Sequence, residues 1–138
     1  MSTGAIVAAA RNTSYSPASV RKAIEHTLEY LTPPLPAIVK RGDHVLVKVN
    51  MGCSGARDPE LRYTTHPAFA EAIITTLLDC GALVSFGDDV ARAGRYNETI
   101  YRATGMADVA NRTGARLIDF ISNGAREVRG GLHFPGNI

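Results

Sequence analysis

The sequence predicts an α/β protein with a doubly wound, mostly parallel sheet and helices on both faces. Three observations carry that expectation. Short β-branched runs alternate with segments of helical periodicity. Capping residues and prolines stand at the expected helix starts, and glycines stand at the expected ends. The 138 residues, 45% apolar and 20% charged, suit one domain with its own core.

The elements follow in order. Residues 5–10, AIVAAA, read as a short buried strand. Ser16-Pro17 supplies an N-cap and a proline at the first helical position. Val20, Ile24, Leu28 and Leu31 recur at helical spacing, which predicts a helix over 17–31. Pro33, Pro34 and Pro36 end it. HVLVKVN at 44–50 is almost wholly apolar and β-branched, as a central parallel strand should be. A long loop, 51–65, leads to Thr64-Thr65-His66-Pro67 and a helix over 67–80. Its expected buried face is Phe69, Ile73, Ile74, Leu77 and Leu78, and Gly81 sits at its C-terminal cap. ALVSF at 82–86 is the next strand and runs into Gly87-Asp88-Asp89. After a loop at 90–96, short helices over 97–104 and 106–113 are closed by Gly105 and Gly114. ARLIDFI at 115–121 makes a fourth parallel strand. Glu127-Val128-Arg129 and Leu132-His133-Phe134 suit an edge hairpin. With no helix after them, the chain reads as the truncated N-terminal part of a larger domain.

Composition excludes several functions. A net charge of +2 does not point to nucleic acid or a membrane surface. No apolar run is long enough to span a bilayer, and no basic segment precedes an apolar one at the start, so a cytoplasmic location is expected. Cys53 and Cys80 are far apart and have no histidine cluster around them, which argues against a metal or iron–sulfur site built from this chain alone.

Ligands of open parallel sheets gather beyond the carboxyl ends of the strands. The polar residues of this sequence collect there. Lys48 and Asn50 lie two apart at one strand end and share a side. Lys48 serves an anionic ligand, or it reaches water or pairs with an aspartate. Thr64, Thr65 and His66 precede a helix start, whose N–H groups favour anions; helix capping is the competing use of the threonines, and a structural role that of His66. His66 is a candidate acid or base. Asp88 and Asp89 are candidates for a divalent cation site, with Asp88 also a candidate base; a turn aspartate and a cap explain the pair equally well. Arg57, Arg62, Arg92 and Arg95 fall in the two long loops, where guanidinium groups suit phosphate or carboxylate.

Four blocks in this order, VLVKVN, TTHP, GDD and YNETIYRATGMADVANRTGARLIDF, resemble the family catalogued as domain of unknown function 362. The last block carries the family's helix-pair pattern as Ile100, Gly105, Ala110 and Gly114. Val49 stands where the family usually has proline, His66 where it often has aspartate, and Asp89 where a small hydroxyl residue is usual. Some members carry iron–sulfur modules, so the resemblance implies redox chemistry. It also implies a C-terminal half, or a partner chain, that completes the domain. The resemblance names no cofactor for this chain. Two readings stand side by side: an enzyme half-domain binding an anionic small molecule, and a non-catalytic interaction module or inactive fragment.

Overall fold

The computed structural model describes residues 7–52, 63–89 and 97–120. Helix α1 is Pro17–Leu28 and α2 is Leu35–Ile38, followed by strand β1, His44–Lys48. Helix α3 is Pro67–Asp79 and β2 is Leu83–Asp88; α4, Asn97–Ala103, α5, Met106–Thr113, and β3, Arg116–Asp119, complete the order. The expected hairpin at 127–134 lies outside the described residues, as do Ala5 and Ile6.

The architecture is α/β, with a parallel sheet flanked by helices. The sheet has three described strands in the order β1-β2-β3, where four were expected. Val45 pairs with Val84 and Lys48 with Gly87; Phe86 pairs with Leu117 and Asp88 with Asp119. The missing strand is the one expected at 5–10. Residues 7–10 belong to no strand, and Val7 is 87% exposed. The physical reason lies in its composition. Four of those six residues are alanine, which has weak strand preference and little surface to bury against a sheet. The segment runs beside α1 instead, where Ala10 and Ala23 line the same cavity.

The helices begin and end where their caps dictate. Ser16 Oγ accepts from Ser19 N, and Pro17 occupies the first turn of α1. At the end of α3, Gly81 N donates to Leu78 O and Ala82 N to Leu77 O, the Schellman pattern. Gly81 sits at φ 83°, a left-handed conformation that disfavours any side chain. The short helix α2 was not expected, because the prolines around it read as a stop. Pro36 is compatible with it, since the first helical positions lack an N–H partner anyway.

Helix α3 is the centre of the fold. Ala70, Ile74 and Leu77 belong to the main core with Val84, Phe86, Met106 and Val109. Ala68 and Ala72 meet Val20 and Ile24 of α1 in a second cluster. The alanines allow close helix approach, and two ion pairs fasten the assembly. Arg21 reaches Asp79 at 2.7 Å, and Arg112 grips Glu71 through Nη2 at 2.8 Å and Nε at 3.1 Å. Because α3 is packed by α1 on one side and by the sheet and α5 on another, its buried face differs from the expected one. Phe69 is 45% exposed. Ile73 and Leu78 are half-buried against the core.

Candidate functional site

At the carboxyl edge, Lys48, Asp88 and Asp119 close the three strands. The neighbouring strand ends β1 and β2 meet through an ion pair. Lys48 Nζ lies 2.6 Å from Asp88 Oδ1 and donates to the Val49 carbonyl at 3.0 Å. Asp88 is buried, and its carboxylate is heavily engaged. Oδ2 accepts from Met51 N and Oδ1 from Asp89 N, each at 2.8 Å. Asp88 therefore clamps the loop after β1 onto the end of β2. Lys48 has the opposite character: its side chain is 60% exposed.

Gly87 makes this geometry attainable. A Cβ there would stand 1.9 Å from the Ile118 carbonyl oxygen, so only glycine lets β3 approach.

The segment before α3 is tied to the same edge. Thr65 N donates to Asn50 O at 2.7 Å, and Asn50 N donates to Thr65 Oγ1 at 2.9 Å. Asn50 also donates to the Tyr63 carbonyl and accepts from Gly52 N. Asn50 and Thr65 are thus spent on each other and on the loop. His66 caps α3: its Nδ1 accepts from Ala68 N at 3.2 Å, and its ring stacks on Tyr15 with centroids 3.8 Å apart. While it caps, Nδ1 carries no proton. The remaining first-turn N–H groups, those of Phe69 and Ala70, donate to the His66 carbonyl.

Two hydroxyls differ from the rest. Thr64 is 8% exposed, and its Oγ1 is buried with no hydrogen-bond partner. Its methyl packs by Gly52. The Tyr101 hydroxyl is also buried without a partner. Burial, and then the charges of Asp119 and Asp88, push the Tyr101 phenol above its ordinary value. It is a donor at neutral pH. A buried hydroxyl left unpaired is costly, and such groups in a folded protein call for an explanation.

The structure thus brings Lys48, Asn50, Thr64, Thr65, His66 and Asp88 to the loops at one edge. Asp89 is exposed beside them. Arg57, Arg62, Arg92, Arg95 and Cys53 lie outside the described residues. Among the described residues no group of three or more His, Cys, Asp or Glu side chains is placed to hold a metal. Cys80 is a free thiol, and no described helix is long and apolar enough to cross a membrane. Tyr101 and Asp119 were missed from sequence. Asp119 carried the same signal as Asp88, an aspartate closing an apolar strand. Tyr101 carried none beyond its hydroxyl.

A family model described as domain of unknown function (DUF362) matches residues 45–137, well over half of the chain. The chain belongs to this DUF362 family. The match begins inside β1 and takes in the ion-paired strand ends, α3 and the α4–α5 pair, so the edge just described falls within the family's common region. Helix α1 and the arm before it precede it. No curated protein and no solved structure matches the chain.

Proposed function

We propose that this DUF362 domain binds an anionic small molecule at the carboxyl edge of its sheet. The observation that carries the reading is Lys48. Its ammonium is held at the strand end by a buried carboxylate, yet the side chain as a whole is 60% exposed, and two of the three ammonium donors are used by Asp88 and Val49. A cation anchored in this way, with a donor left over, suits a carboxylate or phosphate oxygen. The unpartnered Thr64 hydroxyl supports the reading as a second donor. Asp88 acts in it as the group that holds Lys48. Thr65, Asn50 and His66 build the wall rather than touch the ligand.

The test is a thermal-shift and calorimetry screen of small phosphates and carboxylates. At least one should raise the melting temperature by a few degrees, since selective binding to the native state stabilises it. Lys48→Ala should abolish that shift while leaving the protein folded, since the buried Asp88 keeps its two backbone N–H donors. Thr64→Val should weaken binding and leave the fold intact. Full retention of binding by both variants would remove the reading.

A second reading is favoured by a separate observation. Leu46 and Leu83 are 56% and 55% exposed on the sheet face opposite the core. A DUF362 C-terminal half or a partner chain would cover them, and the redox chemistry implied by the resemblance would then enter with that partner. Association of this chain with such a half, measured by analytical ultracentrifugation, tests it.

A further inference from the structure

A cavity of 390 Å³ opens between the arm at 9–12 and α1, lined by Arg11, Lys22 and His26 with Asn12 and Ser19 beside them. No described residue lining it is acidic. Ser19, Lys22, Ala23 and His26 recur at spacings of three and four, so one face of α1 presents them together. It is not the face of Val20 and Ile24, which packs against α3. The arm is fixed opposite it. Asn12 Nδ2 donates to Ser14 O at 2.6 Å, and Ser19 Oγ donates to Asn12 Oδ1, which ties the residue next to Arg11 onto the helix. The arginines of the helices are spent on carboxylates: Arg21 on Glu25 and Asp79, Arg102 on Glu98, Arg112 on Glu71. Arg11 and Lys22 have no acidic partner among the described residues. Glu29 Oε2 meets His26 Nδ1 at 3.3 Å, so that carboxylate offsets the imidazole and leaves Arg11 and Lys22 uncompensated. Like charges gathered around one hollow repel each other, and a shared anion relieves the repulsion.

We propose that this hollow is a second anion site, and that it takes a phosphate or diphosphate group. Two permanent cations and an imidazole match a group with two or more negative charges better than a lone carboxylate. The Arg11 guanidinium can donate in a fork to two oxygens, and the Lys22 ammonium adds a point charge. The site is independent of the Lys48 edge. All the residues lining it precede residue 45, where the family match begins.

The test is titration of the full chain with inorganic pyrophosphate, inorganic phosphate and acetate at constant ionic strength. Binding is followed by the Ala23 methyl and His26 imidazole signals in NMR spectra. Pyrophosphate should move both signals along a saturating curve and bind at least about tenfold more tightly than acetate, with phosphate between them. Arg11→Ala and Lys22→Ala should each weaken pyrophosphate about tenfold or more, the loss expected when one charge-assisted hydrogen bond disappears. Both residues are exposed, so neither change disturbs a packed side chain. Lys48→Ala should leave these signals and this affinity as they are, whatever it does at the sheet edge. Signals that move equally with acetate, or do not move at all, overturn the site. Undiminished pyrophosphate affinity in either cavity variant does so too. Loss of the Ala23 and His26 shifts on Lys48→Ala would place the anion at the edge, overturning this site and leaving the edge reading in place.

Discussion

The two faces of the sheet differ sharply. Toward α3 and α5, Val84 is 6% exposed and Phe86 is fully buried. On the other face, Leu46 and Leu83 remain more than half exposed, with Ser85 between them in the register. The strands are the same, so the contrast is not one of strand propensity. It comes from what packs against each side. One face is already a complete core with its own helices. The other is sparsely covered among the described residues and contributes little to holding the fold together. The carboxyl edge, where both faces meet, carries the polar chemistry.

The largest expected effect breaks the covered face. Phe86→Ala should cost about 3–5 kcal/mol, since the ring is fully enclosed and its neighbours Ile74 and Val109 cannot collapse fully into the space. Urea denaturation measures it. A cost below about 1 kcal/mol would mean that this face is not the core.

The next effect separates structure from binding at the edge. Asp88→Ala removes the acceptor of two backbone N–H groups and the partner of Lys48, and should destabilise by about 2–3 kcal/mol. Lys48→Ala should cost less, because the buried Asp88 carboxylate loses its counter-charge but keeps its two backbone N–H donors. Equal losses for the two variants would make the ion pair a symmetric structural feature and weaken the case for Lys48 as a ligand group.

The sequence showed the covered face more clearly than the edge. Local chemistry marked most helix limits: Ser16-Pro17 starts α1, and Gly81, Gly105 and Gly114 follow the ends of α3, α4 and α5, whereas α1, expected to run to 31, ends at Leu28. Strand runs with branched residues were equally legible. AIVAAA failed because apolar character was read as strand character, although alanine supplies little of either packing or β preference. Phe69 failed because periodicity assumes one buried face, and α3 is packed from two directions. At the edge, residue types flagged Lys48, Asp88 and the 64–66 run. Their roles depend on which hydrogen bonds are already filled, and no spacing rule contains that. Thr64 and Thr65 are adjacent and alike in sequence; one is fully engaged and the other has a buried oxygen with nothing to bind.

A smaller effect sharpens the description of the edge through pH. The phenol of Tyr101 titrates above its unfolded value of 10.0, so the native state keeps a proton that the unfolded chain loses. Stability from this group is complete below about pH 10 and falls as pH rises toward the native pKa. In Tyr101→Phe that alkaline loss should shrink. At neutral pH the variant should stay within about 1 kcal/mol of the parent or gain slightly, because an unpaired buried hydroxyl is removed. Ultraviolet titration, with the tyrosinate signal of the parent compared with that of the variant, checks the assignment. An unchanged alkaline limb would place the pH dependence on another group.

The smallest effect tests the open face itself. Leu46→Ser should change the stability of the isolated chain by no more than about 0.5 kcal/mol, since the side chain is 56% exposed and gives up little buried area. The two functional readings predict different consequences of that neutral change. If the face is free surface in the working protein, Leu46→Ser alters neither stability nor anion binding. If a C-terminal half or partner covers it, the same substitution leaves the isolated chain untouched and weakens association, because a leucine at such an interface is buried only in the complex. Leu83→Ser provides the control on the adjacent strand. The register places Leu83 beside His44, two residues before Leu46 and on the same face, so both substitutions should weaken the same association. A loss of several kcal/mol from the isolated chain in either variant would show that the face is already packed, and the contrast between the two sides of the sheet would fail.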